Sequence, residues 1–301
     1  MPSLLIDTDP GVDDALALLL AWGCPQARVE AVTTVAGNVP LPVATRNLLR
    51  LLALRRPAPA PVLGIGADRP LARPLVTATA YHGEDGLGDV ADWAAIDEGL
   101  PWRPAVEVIL EHARREPPVT LVALGPLTNL ALALAADAGV MRRYPRVVAM
   151  GGAVDVPGNV TPTAEFNMHV DPDAAARVLA AGLPLDLVPL DATRRALLPR
   201  VDLEAALARR PGPLARAVAA FTERSFHVDA ARGTAGMVMH DPLAVAAALD
   251  PTLVEWERAC LAIGADGATR RAAGAPNCRF ARGVDLPRFL ALLLESLCPA
   301  S

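Results

Sequence analysis

Four aspartates fall within eight positions near the start of the chain: Asp7, Asp9, Asp13 and Asp14 in the run DTDPGVDDA. Like charges this close raise one another's pKa, so the run calls for a compensating partner. A hard cation with oxygen ligands, calcium or magnesium, is the usual one. Helix capping is the competing explanation, because acids in a first helical turn favour the dipole. Capping accounts for Asp13 or Asp14, poorly for Asp9, and badly for the whole set.

Five further segments carry polar residues at strand or loop ends. Residues 34–38 run from a strand into Gly37-Asn38, which as an ordinary turn needs no function. His82 stands among glycines in HGEDGLG, which suggests a mobile loop able to close over a site. After residues 120–124 the chain turns at Gly125-Pro126, leaving the Leu124 carbonyl free to serve a cation. Asn159, Glu165 and Asn167 surround Phe166 in a Gly/Pro-rich loop and could bind a polyol. His240-Asp241-Pro242 opens a helix, where Asp241 is a good cap with Pro at the first helical position.

These segments need a scaffold that brings strand ends together. Short apolar runs at 4–7, 30–35, 62–65, 120–124, 147–150 and 186–189 lack strict alternation, which suits strands covered on both faces. Helical patterns alternate with them, at 13–22, 42–54, 106–115, 128–136, 172–180, 203–209, 214–226, 242–249 and 286–297. The expectation is an α/β fold, Rossmann-like, with a mostly parallel open sheet flanked by helices. No repeat or long linker divides it, so residues 1–301 read as a single domain. The polar segments then share the crevice beyond the carboxyl ends of the strands.

Composition excludes several functions. The net charge of −5 and the scattered arginine pairs, Arg194-Arg195 among them, argue against nucleic acid; the pairs read as solvated helix ends. The chain has no lysine, which excludes a P-loop and Schiff-base chemistry and disfavours a metal-dependent phosphatase built on Asp7 and Asp9. Cys24, Cys260, Cys278 and Cys298 lack zinc spacing and read as reduced thiols of a cytoplasmic protein. No segment suits a membrane.

Taken in order, DTDPGVDDA, VAGN, HGEDGLG, GPLTNLALAL, GNVTPTAEFNMHVDP and MHDPLAVAAALDP resemble the nucleoside hydrolase family, the inosine-uridine preferring N-ribohydrolases. The likeness runs from Leu4 to about Asp250 and resumes weakly at GVDLPRF; residues 265–278 depart from it and read as surface. The resemblance implies a Ca2+ ion on Asp9, Asp14, Asp241 and the Leu124 carbonyl. It implies a ribonucleoside held by Asp13, Asn38, Asn159, Glu165, Phe166 and Asn167, with His82 and His240 near the base. It also implies a homodimer or homotetramer. Asp9 is expected to be the base that activates water. His240 is expected to protonate the departing base, since an ordinary histidine titrates near working pH. His240 also points to a pyrimidine or mixed base preference. A catalytically silent ribose-binding protein on the same fold is the rival from another class.

Overall fold

The computed structural model describes residues 1–91, Trp93 and 96–298; the last three positions of the expected 1–301 unit lie outside them. The strands are β1 (Ser3–Thr8), β2 (Arg28–Thr34), β3 (Val62–Ile65), β4 (Trp102–Pro104), β5 (Thr120–Ala123), β6 (Val147–Met150) and β7 (Leu185–Val188). They continue as β8 (Leu197–Leu198), β9 (Met237–Val238), β10 (Val254–Ala259), β11 (Leu261–Ile263), β12 (Thr269–Arg271) and β13 (Cys278–Val284). Nine of them form one sheet in the order β10-β13-β7-β6-β5-β1-β2-β3-β4. All neighbours pair in parallel except β10 with β13. The expected α/β architecture with a mostly parallel sheet is what the chain adopts.

Successive side chains of a strand point to opposite faces. On β1, Leu4 and Ile6 join one core with the helices Val12–Gly23, Leu41–Arg55, His240–Leu249 and Leu286–Leu297. Leu5 joins the other, with Ala105–His112, Thr128–Met141 and Pro172–Ala180. The strands β6 and β7 are buried along their whole length, which explains the continuous apolar run of β6; in β7 the one charge, Asp186, is held by Arg146 and Arg279.

Strand order decides where ligands bind. From β1 the chain winds outward through β2, β3 and β4, then jumps back so that β5 pairs with the other side of β1. The order reverses between β1 and β5, and such a switch point opens a crevice at the carboxyl ends of the strands. Asp9 directly follows β1, and Leu124 directly follows β5.

Two regions differ from expectation. Strands β10 and β13 complete the sheet, although their sequences VEWERA and CRFARGV are interrupted by the charges of Glu255, Glu257, Arg258, Arg279 and Arg282 and have little apolar length. An edge strand and its neighbour tolerate that pattern because one row of side chains meets water. Residues 265–278 are also more than surface. Strand β12 pairs with β11, Ala268 bridges to Ala164, and Ala268 and Thr269 are buried. Arg271 reaches Asp155 at 2.7 Å, so this segment buttresses the loop that carries Asn159 and Glu165. Among the described residues no helix is long and apolar enough to cross a membrane.

Candidate active site

Asp9 sits at the switch point with no exposed surface. Its Oδ2 accepts the Asn38 N–H at 2.6 Å, while its buried Oδ1 has no hydrogen-bond partner. A Cβ on Gly37 would lie 2.0 Å from Oδ2, and one on Gly125 would lie 2.5 Å from Oδ1. The glycines of VAGN and GPLTN are there because no side chain fits beside this carboxylate.

Asp13 and Asp14 follow in the first turn of the helix Val12–Gly23. Asp14 Oδ2 accepts the Gly11 N–H at 3.0 Å and the Asn38 amide at 2.9 Å, and its Oδ1 accepts from the Thr8 hydroxyl. Asp14 therefore caps its own helix as well as joining the cluster. Asp241, buried at the start of His240–Leu249, completes it: Asp13, Asp14 and Asp241 each present an oxygen within 4.8 Å of the others. Asp13 thus enters the tightest group, where Asp9 had been expected. Asp7 points elsewhere, accepting from Thr33 and from Asn129 at 2.7 Å.

The crowding shows in the acidities. Burial, then Asp14, pushes the Asp13 carboxyl up to about 8. The same two causes hold Asp9 well above the carboxylate range, and burial with Asp13, Asp14 and Asp9 does so for Asp241. Burial raises Asp7 to about 7.

The polar loop forms one wall. Glu165 caps the short helix Phe166–Val170: its Oε1 accepts the Asn167 N–H at 3.0 Å, and its Oε2 accepts those of Gly152 at 2.9 Å and Met168 at 3.2 Å. The Asn167 amide donates to the Leu124 carbonyl at 2.6 Å, leaving that oxygen a second lone pair. Asn159 Oδ1 accepts the Phe166 N–H at 3.0 Å. Asp13, Asn38, His82, Leu124, Asn159, Glu165, Phe166, Asn167, His240 and Asp241 all line one cavity of about 670 Å³.

Known proteins fit this arrangement. Residues 4–291 match the family described as inosine-uridine preferring nucleoside hydrolase. The chain belongs to that family. It is 39% identical over 307 residues to the pyrimidine-specific ribonucleoside hydrolase RihA of Shewanella sp. (strain MR-4), covering 98% of this chain and 95% of the relative. A plant nucleoside hydrolase superposes with TM-score 0.90 at 30% identity over 99% of each chain. The purine-preferring ribonucleoside hydrolase from Gardnerella vaginalis superposes with TM-score 0.92 at 28% identity over 98% of each. The protein is therefore an enzyme, a ribonucleoside hydrolase that cleaves N-glycosidic bonds.

In this hydrolase both histidines line the cavity, but each is held differently from the sequence expectation. His82 is no part of a loose flap. It ends the helix Thr79–His82, is buried, and accepts the Val12 N–H on Nδ1 at 3.0 Å. The following glycines are tied down as Gly88 N–H donates to the His82 carbonyl and Asn47 holds the Asp85 carbonyl at 2.8 Å. Burial lowers the His82 pKa to about 4. His240 pairs through Nδ1 with the Thr193 hydroxyl at 2.8 Å. Burial, then Arg194, His82 and Arg232, push its pKa down to about 3, below the ordinary histidine range expected of it.

The cavity's outer wall adds residues that sequence reading had not placed in the site: Tyr81, Arg194, Asp229, Arg232 and Thr234 line it too. Arg194, read as solvated, donates to the Gly158 carbonyl at 2.7 Å instead. Tyr81, just before HGEDGLG, donates its hydroxyl to Asp229 at 2.8 Å. One clue was available: the helix Pro213–Ala231 outruns its expected end at 226, which carries Asp229 to the cavity.

The family is metal-dependent, and the floor suits a hard divalent cation. The donors are all carboxylate or carbonyl oxygen, Asp9 Oδ1 is buried without a partner, and the crowded charges lack a counter-ion.

Proposed function

We propose that this hydrolase cleaves pyrimidine ribonucleosides with a resident calcium ion held by Asp9, Asp14, Asp241 and the Leu124 carbonyl. The observation that carries the cation is the unpartnered Asp9 Oδ1 amid the acidic group of Asp13, Asp14 and Asp241. Bound there, the ion would orient water and ribose hydroxyls and moderately acidify that water. The base preference rests on relatives such as the pyrimidine-specific RihA enzymes of Shewanella sp. (strain MR-4), 39% identical, and Enterobacter sp. (strain 638), 41% identical.

Cleavage passes through an oxocarbenium-like sugar. Asp9 takes the proton of the attacking water; its position between Gly37 and Gly125 fixes where that proton can go. Asp13, Asn38, Glu165 and Asn167 hold the ribose hydroxyls, and Asn159 and Phe166 flank the 5′ end. The buried carboxylates stabilise positive charge at the sugar. His82 and His240 meet the base as neutral rings. His240 Nδ1 pairs with the Thr193 hydroxyl at 2.8 Å, and in the tautomer in which that hydroxyl donates, Nε2–H is free to donate to the base. The enzyme assembles as a homodimer or homotetramer, which sedimentation would read.

Ribose release from uridine, cytidine, inosine and adenosine, with chelator and with each divalent ion restored, tests the reading. Uridine and cytidine should be fastest and calcium the best restorer. Faster inosine turnover would overturn the base preference, and chelator-resistant activity would overturn the metal.

A further inference from the structure

The cavity is charged twice, with opposite signs at different depths. Its floor holds the buried carboxylates of Asp9, Asp13, Asp14 and Asp241. Toward solvent stand Arg194, partly buried, and Arg232, exposed. They come from unrelated places: Arg194 follows the short helix Leu190–Thr193, and Arg232 follows Pro213–Ala231. Among the described residues neither forms an ion pair. Arg194 is held by the Gly158 carbonyl at 2.7 Å. Arg232 places its guanidinium carbon 5.4 Å from the Tyr81 ring centre. Both act electrostatically on the His240 ring, which lines the same cavity. Asp229 lies within reach of Arg232, but its Oδ2 already accepts the Tyr81 hydroxyl at 2.8 Å and the Val238 N–H at 3.1 Å.

A ribonucleoside with its sugar on the floor carries its base up to these guanidinium groups. In hydrolysis the water oxygen bonds to C1′, the water's proton passes to Asp9, and the C1′–N pair leaves with the base. Negative charge then spreads over the base nitrogen and its carbonyl oxygens until solvent returns a proton. We propose that Arg194 and Arg232 form a cationic rim that takes up this charge, so that the cavity is polarised along the bond that breaks. Guanidinium suits the task because it stays charged and offers several donors to a planar anion. This inference rests on the hydrolase reading.

The test uses the full-length, metal-loaded enzyme and two leaving groups of different acidity, uridine and 5-fluorouridine. Arg194→Met and Arg232→Met should each lower kcat/KM for uridine, on the order of a hundredfold for a lost charge-stabilising donor. The loss with 5-fluorouridine should be smaller, because its base bears negative charge more readily. Arg232→Lys should restore part of the uridine rate, and inhibition by ribose should be unchanged. Since Arg194 also holds the Gly158 loop, the exposed Arg232 decides. Equal losses on both substrates, or none, in Arg232→Met would overturn the inference while leaving an active hydrolase. A wild-type enzyme that releases no ribose would sink the hydrolase reading, and this inference with it.

Discussion

The floor and the rim of the cavity are built on opposite plans. On the floor, Asp9 and Asp14 have no exposed surface, and their oxygens are fixed by Asn38, Thr8 and Gly11 within a frame of glycines. At the rim, Arg232 is exposed and Arg194 is held by a single carbonyl. A buried, crowded site admits one arrangement, because unpaired polar atoms in a dry interior are expensive to leave unpaired. A half-solvated wall can exchange side chains at little cost in stability. On the proposed reading the floor would set the reaction, common to every ribose, and the rim would set which base leaves fastest. Relatives of the same fold named purine-preferring and pyrimidine-specific fit that division.

The comparison breaks most visibly at Asp9. Asp9→Ala should reduce kcat by about 10²–10⁴, the usual worth of a positioned base, equally for all nucleosides. Ribose inhibition should persist. Loss of ribose inhibition together with turnover would show instead that the metal site had collapsed, and titration calorimetry with calcium would show it directly. A rank order of nucleosides that changed in this variant would undo the separation of floor from rim.

Gly37→Ala comes next. The new Cβ would meet Asp9 Oδ2 at 2.0 Å and must displace the carboxylate. A misplacement of about 1 Å costs roughly a hundredfold in rate. Steady-state turnover would check this, and wild-type rates would mean that the carboxylate has room to move.

Acidity gives a third test. Asp7 and Asp13 titrate near 7 and 8 in the folded, metal-free protein. In the unfolded chain an aspartate titrates near 4. A raised folded pKa means that the native state binds more protons between those values. Its stabilising contribution is complete below about pH 4 and is lost as pH rises toward 8. Thermal unfolding of the chelated enzyme should therefore occur at lower temperature at pH 8 than at pH 5.5. Added calcium should lift the melting temperature most at pH 8. A chelated protein whose melting temperature rose over that interval would contradict the crowding.

The smallest effect belongs to the rim. Tyr81→Phe removes the hydroxyl that Asp229 accepts at 2.8 Å. The expected loss is about 1 kcal/mol, roughly fivefold, appearing in KM and differing between uridine and inosine. An equal change for both bases would place Tyr81 with the floor.

What could be read directly from the chain follows the same line. DTDPGVDDA announced a site because crowded carboxylates beside a strand end are locally unfavourable, and that is visible without a fold. The sheet was legible where strands are buried on both faces, as in β6 and β7. It was not legible in β10 and β13, whose interspersed charges suit their place at and beside the sheet edge.

Sequence alone determined residue types and the local turns that present them: Asp9 after β1, Leu124 after β5, His240 and Asp241 opening a helix. Tertiary structure decided distance, burial and charge environment. It brought Asp241 to Asp14 from the far end of the chain and made Asp13 the third member of that group. It pushed the His240 pKa down, first by burial and then by bringing Arg194, His82 and Arg232 close. It carried Arg194, Asp229 and Arg232 to one wall. The reason is physical. Backbone preference and hydrophobic pattern act over a few residues, whereas electrostatics and desolvation depend on which surfaces the fold brings together.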